Sequence, residues 1–303
     1  MKDKSEIKRE VQEFYDQYGW KQIGEGLYQN SRYEDLRPVS EEYVQRCRER
    51  VKRYLPERGR LILDGGSGPI QYGEYEEYSR GFAHRVCLDI SRLALMEARK
   101  RIGDHGLFVV GDLANLPFKP EAFDAAVSMH VIYHLPMEDQ ESAFREFFRV
   151  LSPGGEAVVI YSWGEHSKLM CLARLPIKMG GWLLRQYSQL RFGKDRPLKM
   201  GDKEIDNETR ELLTRPGLYS FKHDYNWLQE RVGDLPRFEV RAWRTVSSAF
   251  LRALVHRQFF GRYWLRLLYR LEERFPRFLG RWGQYPMVLF EKPDGNSQKA
   301  KRG

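Results

Sequence analysis

Three carboxylates each close a short apolar run: Asp64 after residues 61–63, Asp89 after 85–88, and Asp112 after 107–110 and Gly111. An acid at the carboxyl end of a buried strand needs a partner for its charge. Bound ammonium or neighbouring backbone N–H groups would serve Asp64. Asp89 can accept from both hydroxyls of a ribose. Asp112 can accept from an exocyclic amino group. Together they suit a ligand with an amino-acid end, a ribose and an adenine. Between the first run and its helix lies Gly66-Ser67-Gly68. Glycine tolerates positive φ there and lets a ligand approach the backbone. The dinucleotide fingerprint wants a third glycine, and Ile70 stands in its place. That absence and the Gly111-Asp112 pair argue against the rival reading, a nicotinamide-dependent oxidoreductase.

The elements that must position these residues alternate. Strands are expected at 61–63, 85–88, 107–110, 123–129 and 156–161. Helices are expected at 72–80, 91–102 (N-capped by Ser91) and 136–151. This rhythm calls for parallel strands with right-handed crossovers, in an open α/β sheet that binds ligands beyond the strands' carboxyl ends. Before it, residues 5–18 and 40–54 read as helices capped by Ser5 and Ser40. Tyr15, Tyr18 and Trp20 cluster beside Gly19, as an aromatic flap over the site or as core packing.

At this point the core resembles a class I S-adenosylmethionine-dependent methyltransferase, of the group that includes small-molecule and quinone methyltransferases. The resemblance rests on Leu63-Asp64-Gly65-Gly66-Ser67-Gly68, Leu88-Asp89-Ile90-Ser91, Gly111-Asp112-Leu113-Ala114-Asn115-Leu116-Pro117-Phe118, Phe123-Asp124-Ala125-Ala126-Val127 and Arg149-Val150-Leu151-Ser152-Pro153-Gly154-Gly155. It covers about residues 60–162. It implies S-adenosylmethionine as cofactor, with Asp64, Gly66 and Gly68 at the methionine part, Asp89 at the ribose, and Asp112 with Leu113 at the adenine. Gly65, Ile90 and Met129 are further expected cofactor contacts. Tyr15 and Tyr18 resemble the aromatic lid of such enzymes. The implied fold is a Rossmann-like, seven-stranded, mostly parallel sheet with helical cap insertions.

The fourth strand runs into Met129-His130, whose edge would face the transferring methyl. His130 is a candidate general base, since an unperturbed imidazole titrates near neutrality. It also reads as a packing residue. His134, His223 and Tyr225 are candidate acceptor contacts. Methyl transfer needs little beyond alignment and exclusion of water, so a dedicated base is dispensable where the acceptor is already nucleophilic.

The domain plan that follows has five parts. Residues 1–58 form a helical lid, 59–163 the cofactor-binding core, and 164–235 a helical cap with a polar stretch at 202–209 and a short helix at 225–232. Residues 236–293 hold the last two strands (238–243 and 286–291), split by a basic helical insertion at 248–280. Residues 294–303 form a disordered basic tail.

Of the 303 residues, 42% are hydrophobic and 31% charged, enough for a real core. The net charge of +9 favours anionic partners. Much of it sits in two segments. One is 168–199, with Arg174, Lys178, Arg185, Arg191, Lys194 and Arg196 around Trp182. The other is 252–281, with Arg257, Arg262, Arg266, Arg270, Arg274 and Arg277 around Trp264. These read as a substrate cap, as a peripheral contact with an anionic membrane, or, as the least favoured option, as a nucleic-acid surface. The acceptor is expected to be a small or lipid-like molecule, methylated on O, N or C. A non-catalytic scaffold binding lipid or RNA is the alternative. Three scattered cysteines imply neither a disulfide framework nor a zinc site, and no metal is expected. With a charged N-terminus and no run long enough to span a bilayer, a cytoplasmic protein is expected, with peripheral membrane association as an option.

Overall fold

A computed structural model of the chain describes residues 3–24, 27–192, 199–200, 203–204 and 218–294. The polar stretch at 202–209, Lys194 and Arg196 of the first basic segment, and the tail from 295 fall largely or wholly outside these residues.

Helix α1 (Lys4–Phe14) continues as a π turn at Tyr15–Gly19, followed by a small hairpin, Gln22–Gly24 with Leu27–Tyr28. Ser5 is not the cap: Asp3 occupies that place in extended backbone, and the Ser5 hydroxyl donates to its carboxylate. Helix α2 (Glu41–Arg50) ends in a 3-10 turn. Ser40 precedes α2, but its hydroxyl donates to Asp35 at 2.6 Å instead of capping. Strand β1 (Gly59–Gly65) leads through the glycine turn to the short α3 (Gly73–Glu76). Then come β2 (Phe82–Asp89), α4 (Arg92–Ile102), β3 (Gly106–Val110), β4 (Phe123–Met129), α5 (Gln140–Val150) and β5 (Leu151–Ile160). Ser91 caps α4 as expected, accepting from the Ala94 N–H. The Ser152–Gly155 segment, between the expected helix and strand, is absorbed into β5, with Gly154 at φ 77° beside an irregular register.

The insertion carries α6 (Lys168–Leu172), α7 (Arg174–Phe192) and α8 (Tyr225–Val232). After β6 (Glu239–Arg244), the basic segment forms α9 (Ser248–Leu254), α10 (Gly261–Arg274) and α11 (Pro276–Trp282), and β7 (Tyr285–Glu291) ends the sheet. The segment 248–280, expected to form one or two long helices, is divided into three by Phe260, in the left-handed region, and by Phe275-Pro276.

The sheet order is β6-β7-β5-β4-β1-β2-β3. Neighbouring pairs are parallel except at β7, which runs antiparallel to β5 and β6. Each face is covered. Phe144, Phe147 and Val150 of α5 pack with Val232 of α8 on one side. Val44 and Cys47 of α2 pack with Leu265 of α10 on the other. Full burial of side chains like these contributes roughly 1.5–3 kcal/mol each. A buried pair, Arg50 and Glu272 at 3.0 Å, fixes α10 to α2. Glu272 also accepts from the Tyr43 hydroxyl and the Thr245 N–H. The three cysteines are free.

Candidate active site

The carboxyl ends of β1, β2, β3 and β4 converge on one edge, and two connected hollows lie there. The first, beside β2 and β3, is lined by Asp89, Ile90, Asp112, Leu113 and residues of α1, which closes it to about 60 Å³. The second is a cleft of about 510 Å³ running from Asp64 and the glycine turn to the cap. Gly66, Val131, Tyr15, Trp20 and His134 border both.

The turn is built for close approach. Gly66 (φ 73°) and Gly68 (φ 55°) are left-handed. A Cβ on Gly66 would stand 2.5 Å from Val131, and one on Gly68 would stand 2.9 Å from Trp20. Ile70, where the third glycine is missing, takes the same left-handed backbone (φ 53°) and buries its side chain against Cys87 and Leu95.

Each acid already has partners. Asp64 is paired with Arg85 of the adjacent strand at 2.5 Å, both side chains nearly excluded from solvent. Asp89 accepts from the Gly68 and Ser91 N–H groups, each at 2.9 Å. Burial nevertheless pushes its carboxyl up to about 6, those two bonds opposing. Asp112 accepts from the Ala114 N–H at 3.0 Å and from the Lys8 ammonium at 2.6 Å. Lys8 also reaches Asp139 at 2.6 Å, as does Lys4. The i,i+4 spacing of Lys4 and Lys8 signals one helical stripe; their acidic partners lie more than a hundred residues on and leave no local signal.

Tyr15 stacks on Trp20 with ring centroids 5.1 Å apart and closes the border between the hollows. Tyr18 packs on Phe14 and lines neither. Met129 lines the cleft.

His130 also lines the cleft, at φ 63°, with its ring edge-on to Trp243 and Tyr285. Both ring nitrogens are buried, and neither has a hydrogen-bond partner among the described residues. Burial first, then the nearby Arg244 and Arg48 cations, push its pKa down to about 3, with Glu34 opposing. His134 is likewise lowered by burial, to about 4. Its Nδ1 lies 2.8 Å from the Tyr219 carbonyl, so Nδ1 donates and Nε2 is left as an acceptor.

The remaining two candidates point elsewhere. The chain turns into α8 at Asp224, whose carboxylate accepts from the Trp227 N–H. That turn lays His223 flat on Trp227, 3.6 Å between centroids. It also sends Tyr225 into a separate outer groove with Arg237 and Arg281. Ser220 and Lys222 of the same segment line the cleft in their stead. Sequence reading also missed Glu34 and Arg244, an ion pair at 2.9 Å in the cleft wall, and the tyrosines at 33, 72, 133 and 285.

Seven strands in this order, with a glycine turn after the first and acids after the first three, define a class I S-adenosylmethionine-dependent methyltransferase fold. Residues 63–159 match the family model described as a methyltransferase domain, and that segment is a domain of this class. The chain is 34% identical over 139 residues to the probable tRNA methyltransferase 9B of Homo sapiens, across 45% of this chain and 29% of that protein. It is 40% identical over 100 residues to the ubiquinone/menaquinone biosynthesis C-methyltransferase UbiE of Bartonella henselae, across 31% and 37%. The chain thus spans less than half the length of these relatives. Among solved structures it is similar to Haemonchus contortus phosphoethanolamine N-methyltransferase 1 in complex with phosphoethanolamine and S-adenosylhomocysteine. There the TM-score is 0.57 at 10% identity, over 97% of this chain and 51% of that one, a likeness of fold alone.

Proposed function

We propose that this chain transfers the methyl group of S-adenosylmethionine to an O, N or C nucleophile of a small or lipid-like acceptor held in the 510 Å³ cleft. The observation that carries the reading is the pair of hollows meeting at Gly66 and Val131, with Asp89 and Asp112 lining one and His130, whose ring nitrogens have no partner among the described residues, lining the other. The residues fit the cofactor: a glycine turn that a Cβ would fill, Asp89 for a ribose, and Asp112 with Leu113 for an adenine. The bound cofactor supplies a methyl group activated on a sulfonium sulfur.

The protein's part is alignment and dryness. Trp20 and Tyr15 exclude water at the border. Tyr133 and Tyr285 wall the acceptor side. His130, neutral at physiological pH, accepts a hydrogen bond from the acceptor's O–H or N–H and so turns a lone pair toward the border. With a pKa near 3 it is too weak a base to keep the proton. It is therefore an acceptor-positioning group, and the proton leaves to solvent or product.

A second reading, an RNA nucleoside as acceptor, is favoured by the tRNA methyltransferase relative and by the net charge of +9. Calorimetry with S-adenosylmethionine, S-adenosylhomocysteine and NADH, alongside Asp89→Ala, tests the cofactor. Micromolar binding of both adenosyl ligands, lost in the variant, is expected; binding of NADH alone, or of nothing, overturns the reading. Labelled methyl transfer into a lipid extract, a metabolite extract and bulk tRNA then separates the acceptor classes.

A further inference from the structure

We infer that α7 and α10 carry a docking face for an anionic membrane surface. The inference stands apart from the choice of acceptor and goes beyond it.

Helix α7 has three stripes at helical spacing. Ile177, Gly180 and Leu184 are half-buried, and Gly180 abuts α9 so closely that a Cβ would stand 2.6 Å from the Ala253 carbonyl oxygen. Arg174, Lys178 and Arg185 form a second, basic stripe. Leu175, Met179, Trp182, Leu183 and Leu190 form the third, facing away from α9, with Trp182 55% and Leu190 86% exposed. A helix that docks on its own protein by one face has no internal reason to carry Leu and Trp on the opposite one. Helix α10 repeats the arrangement. Leu265 and Tyr269 face the core, while Phe260, Tyr263, Trp264, Leu267 and Leu271, spaced 3, 1, 3 and 4 apart, line the outer side. Phe260 is 76% exposed. The two helices are linked through α9, on which α7 packs and which a 3-10 turn at Arg257–Phe259 joins to α10.

Charge selects the occupant. From His166 to Phe192, and again from Thr245 to Leu271, there is no Asp or Glu. Lys and Arg are interspersed among the exposed Leu, Phe and Trp. Basic side chains beside Trp and Leu suit the headgroup boundary of an anionic bilayer, where apolar groups sink and Lys or Arg heads stay in water. A nucleic-acid face would carry basic and aromatic groups, but gains nothing from rows of Leu and Met. No helix among the described residues is long and apolar enough to cross a membrane, so contact through these helices would be interfacial. The insertion begins at the cleft rim: Gly164 lines the cleft, and α6 starts four residues later.

The test is co-sedimentation of the full chain with phosphatidylcholine vesicles containing roughly 30% phosphatidylglycerol, against phosphatidylcholine alone, at about 0.1 M salt. The variants are Trp182→Glu with Leu183→Glu, and separately Trp264→Glu. The expected result is binding to the anionic vesicles only, weakened about tenfold or more in each variant, with unchanged circular dichroism and S-adenosylhomocysteine affinity. Should the double variant misfold, Trp264→Ala gives the same reading from the other helix. Absence of vesicle binding overturns the proposal. Equal binding by wild type and variants overturns it too. So does variant-sensitive self-association, which would assign the face to a second copy, or variant-sensitive tRNA binding without vesicle binding.

Discussion

The Lys8 ammonium bridges Asp112 and Asp139, 2.6 Å from each, and so ties α1 to the ends of β3 and α5. Helix α1 is thereby held on the acid proposed to face the adenine. Both side chains of the Lys8–Asp112 pair are about a quarter exposed, so the latch is worth only about 1 kcal/mol after screening. Lys8→Ala should let α1 open more often and speed release of S-adenosylhomocysteine by about fivefold. Stopped-flow fluorescence of Trp20 reads this rate. An unchanged rate would make α1 plain scaffold.

Asp89 should couple ligand binding and stability to pH with opposite signs. Its carboxyl sits at about 6 in the folded protein, against about 3.9 unfolded. The folded state therefore holds the proton more tightly. This group's stabilising contribution is whole below about 3.9 and is lost as pH rises through about 6. A ribose wants the ionised form, so affinity for S-adenosylhomocysteine should fall as pH drops below about 6. Asp89→Asn should remove Asp89's share of the pH dependence of the ligand-free protein's stability in this window, leaving the opposite-signed share of His130 and His134, and still cut affinity at pH 7. Calorimetric titration and urea unfolding between pH 5 and 8 supply both readings.

Ile70 carries a β-branched side chain at φ 53° yet is fully buried. The left-handed backbone costs about 1–2 kcal/mol, while removing a buried Ile side chain costs about 2–5 kcal/mol. Burial is the larger quantity. Ile70→Gly, which would restore the missing third glycine, should therefore destabilise by roughly 1–3 kcal/mol. A gain in the urea midpoint would reverse that ordering.

What could be read ahead of the structure was whatever is local in the chain. Asp64, Asp89 and Asp112 were legible because each follows an apolar strand and precedes a turn. Ser91 was legible because it opens a helix. Glu34 and Arg244 were not, since 210 residues separate them and only the fold brings them to 2.9 Å. Arg85 lies two residues before the register partner of Asp64 on the neighbouring strand, and strand register has no signature in a single sequence. His223 was misjudged because Asp224 starts a helix immediately after it, and that turn, rather than residue type, decides where the imidazole points.

Arg85 and Asp64 should behave as a unit. Burial disfavours the guanidinium's charge, but Asp64 raises its pKa again. Removing one partner leaves an uncompensated buried charge at a cost of about 3–5 kcal/mol. Arg85→Met alone should fall in that range. Adding Asp64→Asn should recover most of the loss while weakening S-adenosylmethionine binding, because the acid is also a candidate for the ligand's amino-acid end. A double-mutant cycle by urea unfolding, with calorimetry on the double variant, separates the two roles.

His130 offers the sharpest test of the acceptor side. Held down at about 3, it stays neutral across the working range, so its stabilising contribution is whole above about 6.5 and shrinks as pH falls toward about 3. If it only accepts a hydrogen bond, the kcat profile of the wild type should show no inflection near 6.5. His130→Asn keeps an acceptor oxygen and tolerates the left-handed backbone; it should retain most activity. His130→Ala should lose about 10- to 100-fold in kcat/KM, with cofactor affinity intact. A profile that rises with a pKa near 6.5 and vanishes in both variants would instead make His130 a base that takes the proton.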